Sequence, residues 1–109
     1  MKLLIAIVQD EDSQKLMNAL TKEKYSVTKL ATTGGFLRVG NTTMIMGVED
    51  DKVEDAIHII ESVCKSRSQM VPGPSPITGT MGTFIPYPIE VTVGGATVFV
   101  LDVEQFRKV

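Results

Sequence analysis

Leu3–Val8, LLIAIV, is apolar at every position. A strand that buries only one face alternates apolar and polar residues, so an unbroken run needs cover on both faces. Six residues are too few for a membrane span or the core of a signal peptide. The run therefore reads as the central strand of a layered domain. Ala96–Val103, ATVFVLDV, repeats the property near the other end, with Phe99 and Leu101 at one parity and Val98 and Val100 at the other. Ile89–Val93 precedes it as a second alternating strand. Gly94-Gly95 between the two is a strong two-residue hairpin signal.

Working inward from Val8, Gln9 to Asp12 reads as a turn with Asp10 or Asp12 as a helix N-cap. Ser13–Glu23 is helical, with Leu16, Ala19 and Leu20 on its inner stripe. Tyr25–Ala31 alternates: Tyr25 and Val27 share one face, and Ser26, Thr28 and Leu30 the other. Thr42–Val48, TTMIMGV, is again strand-like. The helical spacing is clearest from about Asp50 to Lys65, where Val53, Ala56, Ile57, Ile60, Val63 and Cys64 share a face.

Two segments stand apart. Lys29–Thr43, KLATTGGFLRVGNTT, packs four threonines, three glycines and Phe36-Leu37 between two strands. Flanking strands joined by so short a loop predict an antiparallel hairpin. Glycine lets a backbone approach a ligand closely, hydroxyls and amides bind phosphates or base edges, and Phe36 offers a flat apolar face. In residues 66–88 lie all five prolines, at 72, 74, 76, 86 and 88, with Gly73, Gly79 and Gly82. That spacing predicts a long structureless loop.

The order β-α-β-β-α-β with one extra C-terminal strand predicts an α+β, ferredoxin-like sandwich in a single domain, residues 1–109. Two helices cover one sheet face only. The apolar residues on the other face predict burial by further copies of the chain.

Totals limit the chemistry. At 109 residues, 43% apolar and 22% charged, the chain is an ordinary globular domain. A net charge of −2 argues against a non-specific grip on nucleic acid. One cysteine, Cys64, makes no internal disulfide and suits a reducing compartment, so the expected location is cytoplasmic. His58, the single histidine, lies in the second helix, and Cys64 lies on that helix's inner stripe without a histidine near it in sequence. Asp10, Glu11 and Asp12 read as partners of a helix N-terminus, and Asp50-Asp51 likewise. Metal-binding spacings, Walker and dinucleotide motifs are absent. No constellation for catalysis emerges, and no cofactor is expected.

Three blocks, MKLLIAIVQDEDSQKL, TKLATTGGFLRVGNTT and YPIEVTVGGATVFVLDV, together resemble the PII-like cyclic-di-AMP receptor family, PstA or DarA. The resemblance runs in register over most of the chain, residues 66–86 excepted. It implies a homotrimer of ferredoxin-like subunits and a signal-transduction receptor without catalytic activity. It also implies three cyclic-di-AMP sites in the clefts between neighbours. The short loop 33–40 and the long, flexible loop 66–86 follow that family's pattern.

By the same resemblance, Thr28 and Asn41 bond the ligand's base edges or phosphates. Gly35, Phe36 and Leu37 wrap one adenine, and Gly47 admits the ligand close to the backbone. A neighbouring subunit contributes from its final strands and tail, with Phe99 the candidate. Ser26 departs from the arginine common in the family, leaving Lys24, Lys29 or Arg38 to meet a phosphate, or a weaker grip. Ligand binding is expected to reshape the loops and so regulate an unidentified partner protein. Rival readings are a PII-type sensor of ATP or ADP, a small enzyme on the same fold, and a purely structural oligomer.

Overall fold

The computed structural model describes residues 1–30, 40–72 and 88–109. In chain order the elements are β1 (Lys2–Gln9), α1 (Asp10–Lys22), β2 (Val27–Leu30), β3 (Asn41–Val48), a 3-10 turn (Asp50–Lys52), α2 (Val53–Cys64), β4 (Arg67–Pro72), β5 (Pro88–Val93) and β6 (Ala96–Asp102). Four strands make an antiparallel sheet in the order β2-β3-β1-β6, and β4 with β5 makes a separate two-stranded ribbon. This α+β arrangement, with both helices packed on one sheet face, is consistent with a ferredoxin-like fold.

The apolar run Leu3–Val8 is the middle of the sheet, paired along its length with β3 on one side and β6 on the other. Its even positions, Leu4, Ala6 and Val8, are buried with Met44, Met46 and Val48 of β3 under Leu16 and Leu20 of α1 and Ala56, Ile60 and Cys64 of α2. Each large aliphatic side chain removed from water there contributes roughly 1.5–3 kcal/mol. The odd positions, Leu3, Ile5 and Ile7, lie on the face without helices and are half-buried.

α1 starts from Gln9 rather than from an aspartate, and no side chain caps it. Its end is closed by the chain itself. Lys24 takes φ 69°, its N–H bonds the Thr21 carbonyl at 2.9 Å, and the Tyr25 N–H bonds the Leu20 carbonyl at 3.0 Å. This Schellman closure uses both amides for the helix, which is why β2 begins at Val27 and not at Tyr25.

Two expectations are corrected. Arg67–Pro72 is a strand and not part of a structureless loop. Its first proline is its last residue, so Arg67–Val71 are free to pair with β5. Gly94-Gly95 does not close a hairpin either. β5 pairs with β4, while β6 joins the main sheet beside β1. The glycine amides are spent elsewhere: Gly94 N–H donates to Gln9 Oε1 at 2.7 Å, and Gly95 N–H donates to the Cys64 carbonyl. With φ of 84° and 88° the pair turns the chain out of the ribbon and into the sheet. The last strand is therefore the fourth strand of the sandwich, and the added element is the ribbon inserted before it.

Candidate functional site

Strand alternation decides which residues share a face. Opposite the helices lie Thr28 of β2, Asn41, Ile45 and Gly47 of β3, Ile5 and Gln9 of β1, and Phe99 of β6. The register aligns them in cross-strand rows. One row reads Thr28–Ile45–Ile5–Phe99, a second Gly47–Leu3–Leu101, and Asn41 stands beside Gln9 at the end of the sheet. All the candidate residues on described strands thus occupy one face. Phe99 is 51% exposed and Leu101 44%. Directly opposed residues of antiparallel strands have Cβ atoms roughly 4.5–5.5 Å apart, so side chains within a row are neighbours.

The Asn41 end is the more structured. Gly40, at φ 102°, accepts the Asp10 N–H on its carbonyl at 2.7 Å, and the Thr42 hydroxyl donates to Asp10 Oδ1. The start of α1 thereby holds the chain as it enters β3. Next to it a cleft of about 260 Å³ is lined by Ile7, Val8, Gln9, Asn41 and residues 94–97. It combines amide side chains, glycine backbone and an apolar floor, the mixture that suits a flat polar ligand.

At the other end of β3, Gly47 is exposed, and a Cβ placed there would meet only the Met1 side chain, at 3.7 Å. Among the described residues nothing demands glycine at this position. Six residues along a strand separate Gly47 from Asn41, roughly 20 Å.

Gly35, Phe36, Leu37 and Arg38 lie outside the described residues. Ser26 is exposed just before β2. Lys29 sits opposite Met44 and so shares the helix side of the sheet, away from Thr28. The Lys24 backbone closes α1, while its side chain is exposed.

The chemistry elsewhere is quiet. Burial pushes the Cys64 thiol up to about 11, with the Asp12 carboxylate adding to the effect. His58 is exposed on α2. Among the described residues, no group of three His, Cys, Asp or Glu side chains is placed to hold a metal ion. Nor is any helix among them long and apolar enough to cross a membrane.

One interaction was not legible beforehand. Asp12, expected only as a partner of the helix N-terminus, is buried and gripped by Arg67 of β4: Nη2 to Oδ1 at 2.8 Å and Nη1 to Oδ2 at 3.3 Å. The carboxylate beside it raises the Arg67 pKa further. The only sequence signal was an arginine ahead of the proline-rich stretch, with nothing to say that it folds back onto α1.

Similarity to known proteins extends over essentially the whole chain. A family model described as "Cyclic-di-AMP receptor" matches residues 1–109. A crystal structure of a functionally unknown protein from Pediococcus pentosaceus ATCC 25745 is 42% identical, with a TM-score of 0.76, covering 99% of this chain and 96% of that one.

Proposed function

This chain belongs to the cyclic-di-AMP receptor family, and we propose that it is a one-domain, non-enzymatic signalling receptor that binds the messenger between the subunits of a PII-like homotrimer in the cytoplasm. The observation that carries this reading is the shared face. Thr28, Asn41, Gly47 and Phe99 all lie on the side of the sheet that carries no helix, among Leu3, Ile5 and Ile45. An apolar sheet face of this kind favours cover by further copies of the chain.

The separation within one subunit supports a site built from two. Three strand spacings put Thr28 and Phe99 about 14 Å apart. Thr28 opposes Ile45, two residues from Gly47 on the same face, so a ligand seated by Thr28 and Asn41 has Gly47 of the same subunit beside it and takes Phe99 from the neighbour. Gly35, Phe36 and Leu37 would wrap one adenine on the first subunit. Each base stacked on an aromatic or apolar wall is worth about 1–3 kcal/mol. Two adenines then supply much of the roughly 8 kcal/mol of a micromolar complex. Ser26 provides no positive charge, so unless Lys24 or Arg38 meets the phosphate the complex forgoes a charge-assisted hydrogen bond of about 1.5–3 kcal/mol. The outcome of binding is a changed loop conformation that an as yet unidentified partner protein reads.

Calorimetry together with sedimentation equilibrium tests the proposal. One cyclic-di-AMP per chain, in a particle of three chains, is the expected result. Absence of saturable binding refutes it, and displacement of cyclic-di-AMP by ATP at comparable concentration favours an ATP sensor instead.

A further inference from the structure

We propose that Gln9 is a positioning residue that couples the cleft at Asn41 to the root of the β4–β5 ribbon, through Gly94, Arg67 and Asp12. The inference rests on the cyclic-di-AMP reading for the identity of the ligand and on geometry for the route. Gln9 faces the cleft directly opposite Asn41 in the β1–β3 register. Its Oε1 is already engaged, accepting the Gly94 N–H at 2.7 Å. Among the described residues its amide NH₂ has no acceptor, so it is the donor that a phosphate oxygen or a base nitrogen in the cleft would take.

Gly94 has no slack. A Cβ built on it would lie 2.6 Å from Arg67 Nη1, 2.6 Å from the Lys65 carbonyl and 3.1 Å from the Cys64 carbonyl. The Gly94 backbone thus lies close against the Arg67 guanidinium, and a shift of Gly94 in that direction presses on Arg67. Arg67 is held at three points, by both Asp12 carboxylate oxygens and by the Lys65 carbonyl at 3.1 Å. It is also the first residue of β4, paired with Val93, the residue before Gly94. Both strands of the ribbon are thus rooted in one cluster, and Gln9 is that cluster's contact with the cleft.

A ligand that accepts from the Gln9 amide fixes its rotamer and reinforces the bond to Gly94. Reciprocity then requires that loosening the root from its far side weaken the ligand. Arg67 does not line the cleft, so its effect on affinity has to travel through the relay.

The test is a double-mutant cycle on cyclic-di-AMP affinity, using the full chain. Arg67→Gln is expected to weaken binding about threefold to tenfold in the parent background and to have no effect in Gln9→Ala. The same factor in both backgrounds, or no effect in either, overturns the relay. Arg67→Lys keeps the charge but loses the two-point fork, and it replaces Arg67→Gln in the cycle if the latter does not fold. If the parent chain binds no cyclic-di-AMP, the proposed function fails first. The relay is then judged by hydrogen exchange: Arg67→Gln is expected to speed exchange of the Gly94 amide about tenfold, and an unchanged rate overturns it.

Discussion

Thr28 and Phe99 stand at the two ends of one cross-strand row, Thr28–Ile45–Ile5–Phe99, on the sheet face opposite the helices. The row is polar at the β2 edge, aromatic at the β6 edge and aliphatic between. Within one subunit its ends are separated by three strand spacings, about 14 Å. Under the proposed assembly, the edge that offers a hydroxyl and the edge that offers an aromatic face would become parts of one site where two copies meet.

Truncating the two ends is expected to cost unequal amounts. Phe99→Ala removes a stacking surface and weakens cyclic-di-AMP by about 1–3 kcal/mol, while Thr28→Ala removes one hydroxyl and costs about 0.5–1.5 kcal/mol. Titration calorimetry reads both. An unchanged affinity in Phe99→Ala removes the argument for aromatic contact.

Association is expected to depend on the same face. Leu101, on the edge strand and 44% exposed, opposes Leu3 in the row that ends at Gly47. Leu101→Lys places a charge where a second copy would seat, yet leaves the helix-side core untouched. Sedimentation equilibrium at micromolar concentration should show a single-chain mass in place of three, with an unaltered circular dichroism spectrum. A persistent trimer would place the interface elsewhere.

The two glycines between β5 and β6 are expected to differ in tolerance. Both have positive φ, 84° at Gly94 and 88° at Gly95. A Cβ on Gly95 meets nothing within 4 Å, whereas on Gly94 it collides with two carbonyls and the Arg67 guanidinium. Gly95→Ala should cost only the backbone strain, about 1–2 kcal/mol. Gly94→Ala adds the collision and should cost at least about 2 kcal/mol. Urea unfolding at constant slope measures both, and equal losses would show that the collision relaxes freely.

The Cys64 thiol titrates at about 11 in the fold against an ordinary 9.0, because burial disfavours the thiolate. The sign follows from linkage. The neutral thiol's contribution is complete below pH 9.0 and is lost as pH rises through 11, because the unfolded chain ionises first. Folding stability is expected to fall over that window, and Cys64→Ala should remove this part of the slope. Under native conditions at pH 8, alkylation should be slow, since the thiol is only 1% exposed. Rapid labelling would contradict both the burial and the shifted titration.

Legibility in the sequence divides along the range of the interactions. α2 and the core strands are readable because their apolar spacing is a local property: Ala56, Ile60 and Cys64 recur at helical period, and the alternation of Tyr25–Leu30 places Thr28 on the correct face before any pairing is known. Positions 28, 41, 47 and 99 each carry a parity, but parity alone does not say that they share one surface. Strand register does. Gly94-Gly95 shows the limit of local rules. Two glycines fit a tight hairpin, yet Gln9 and Cys64, distant in sequence, accept their amides and direct β6 to the main sheet.

Residue order alone therefore settles the sandwich's elements, the central strand and the helix-facing core, because burial of apolar side chains at period 2 or 3.6 is written into each segment separately. The tertiary structure decides the strand partners, the ribbon of β4 and β5, and the grip of Arg67 on Asp12. Those depend on which distant groups satisfy buried amides and a buried carboxylate, and no stretch of sequence carries its own partner.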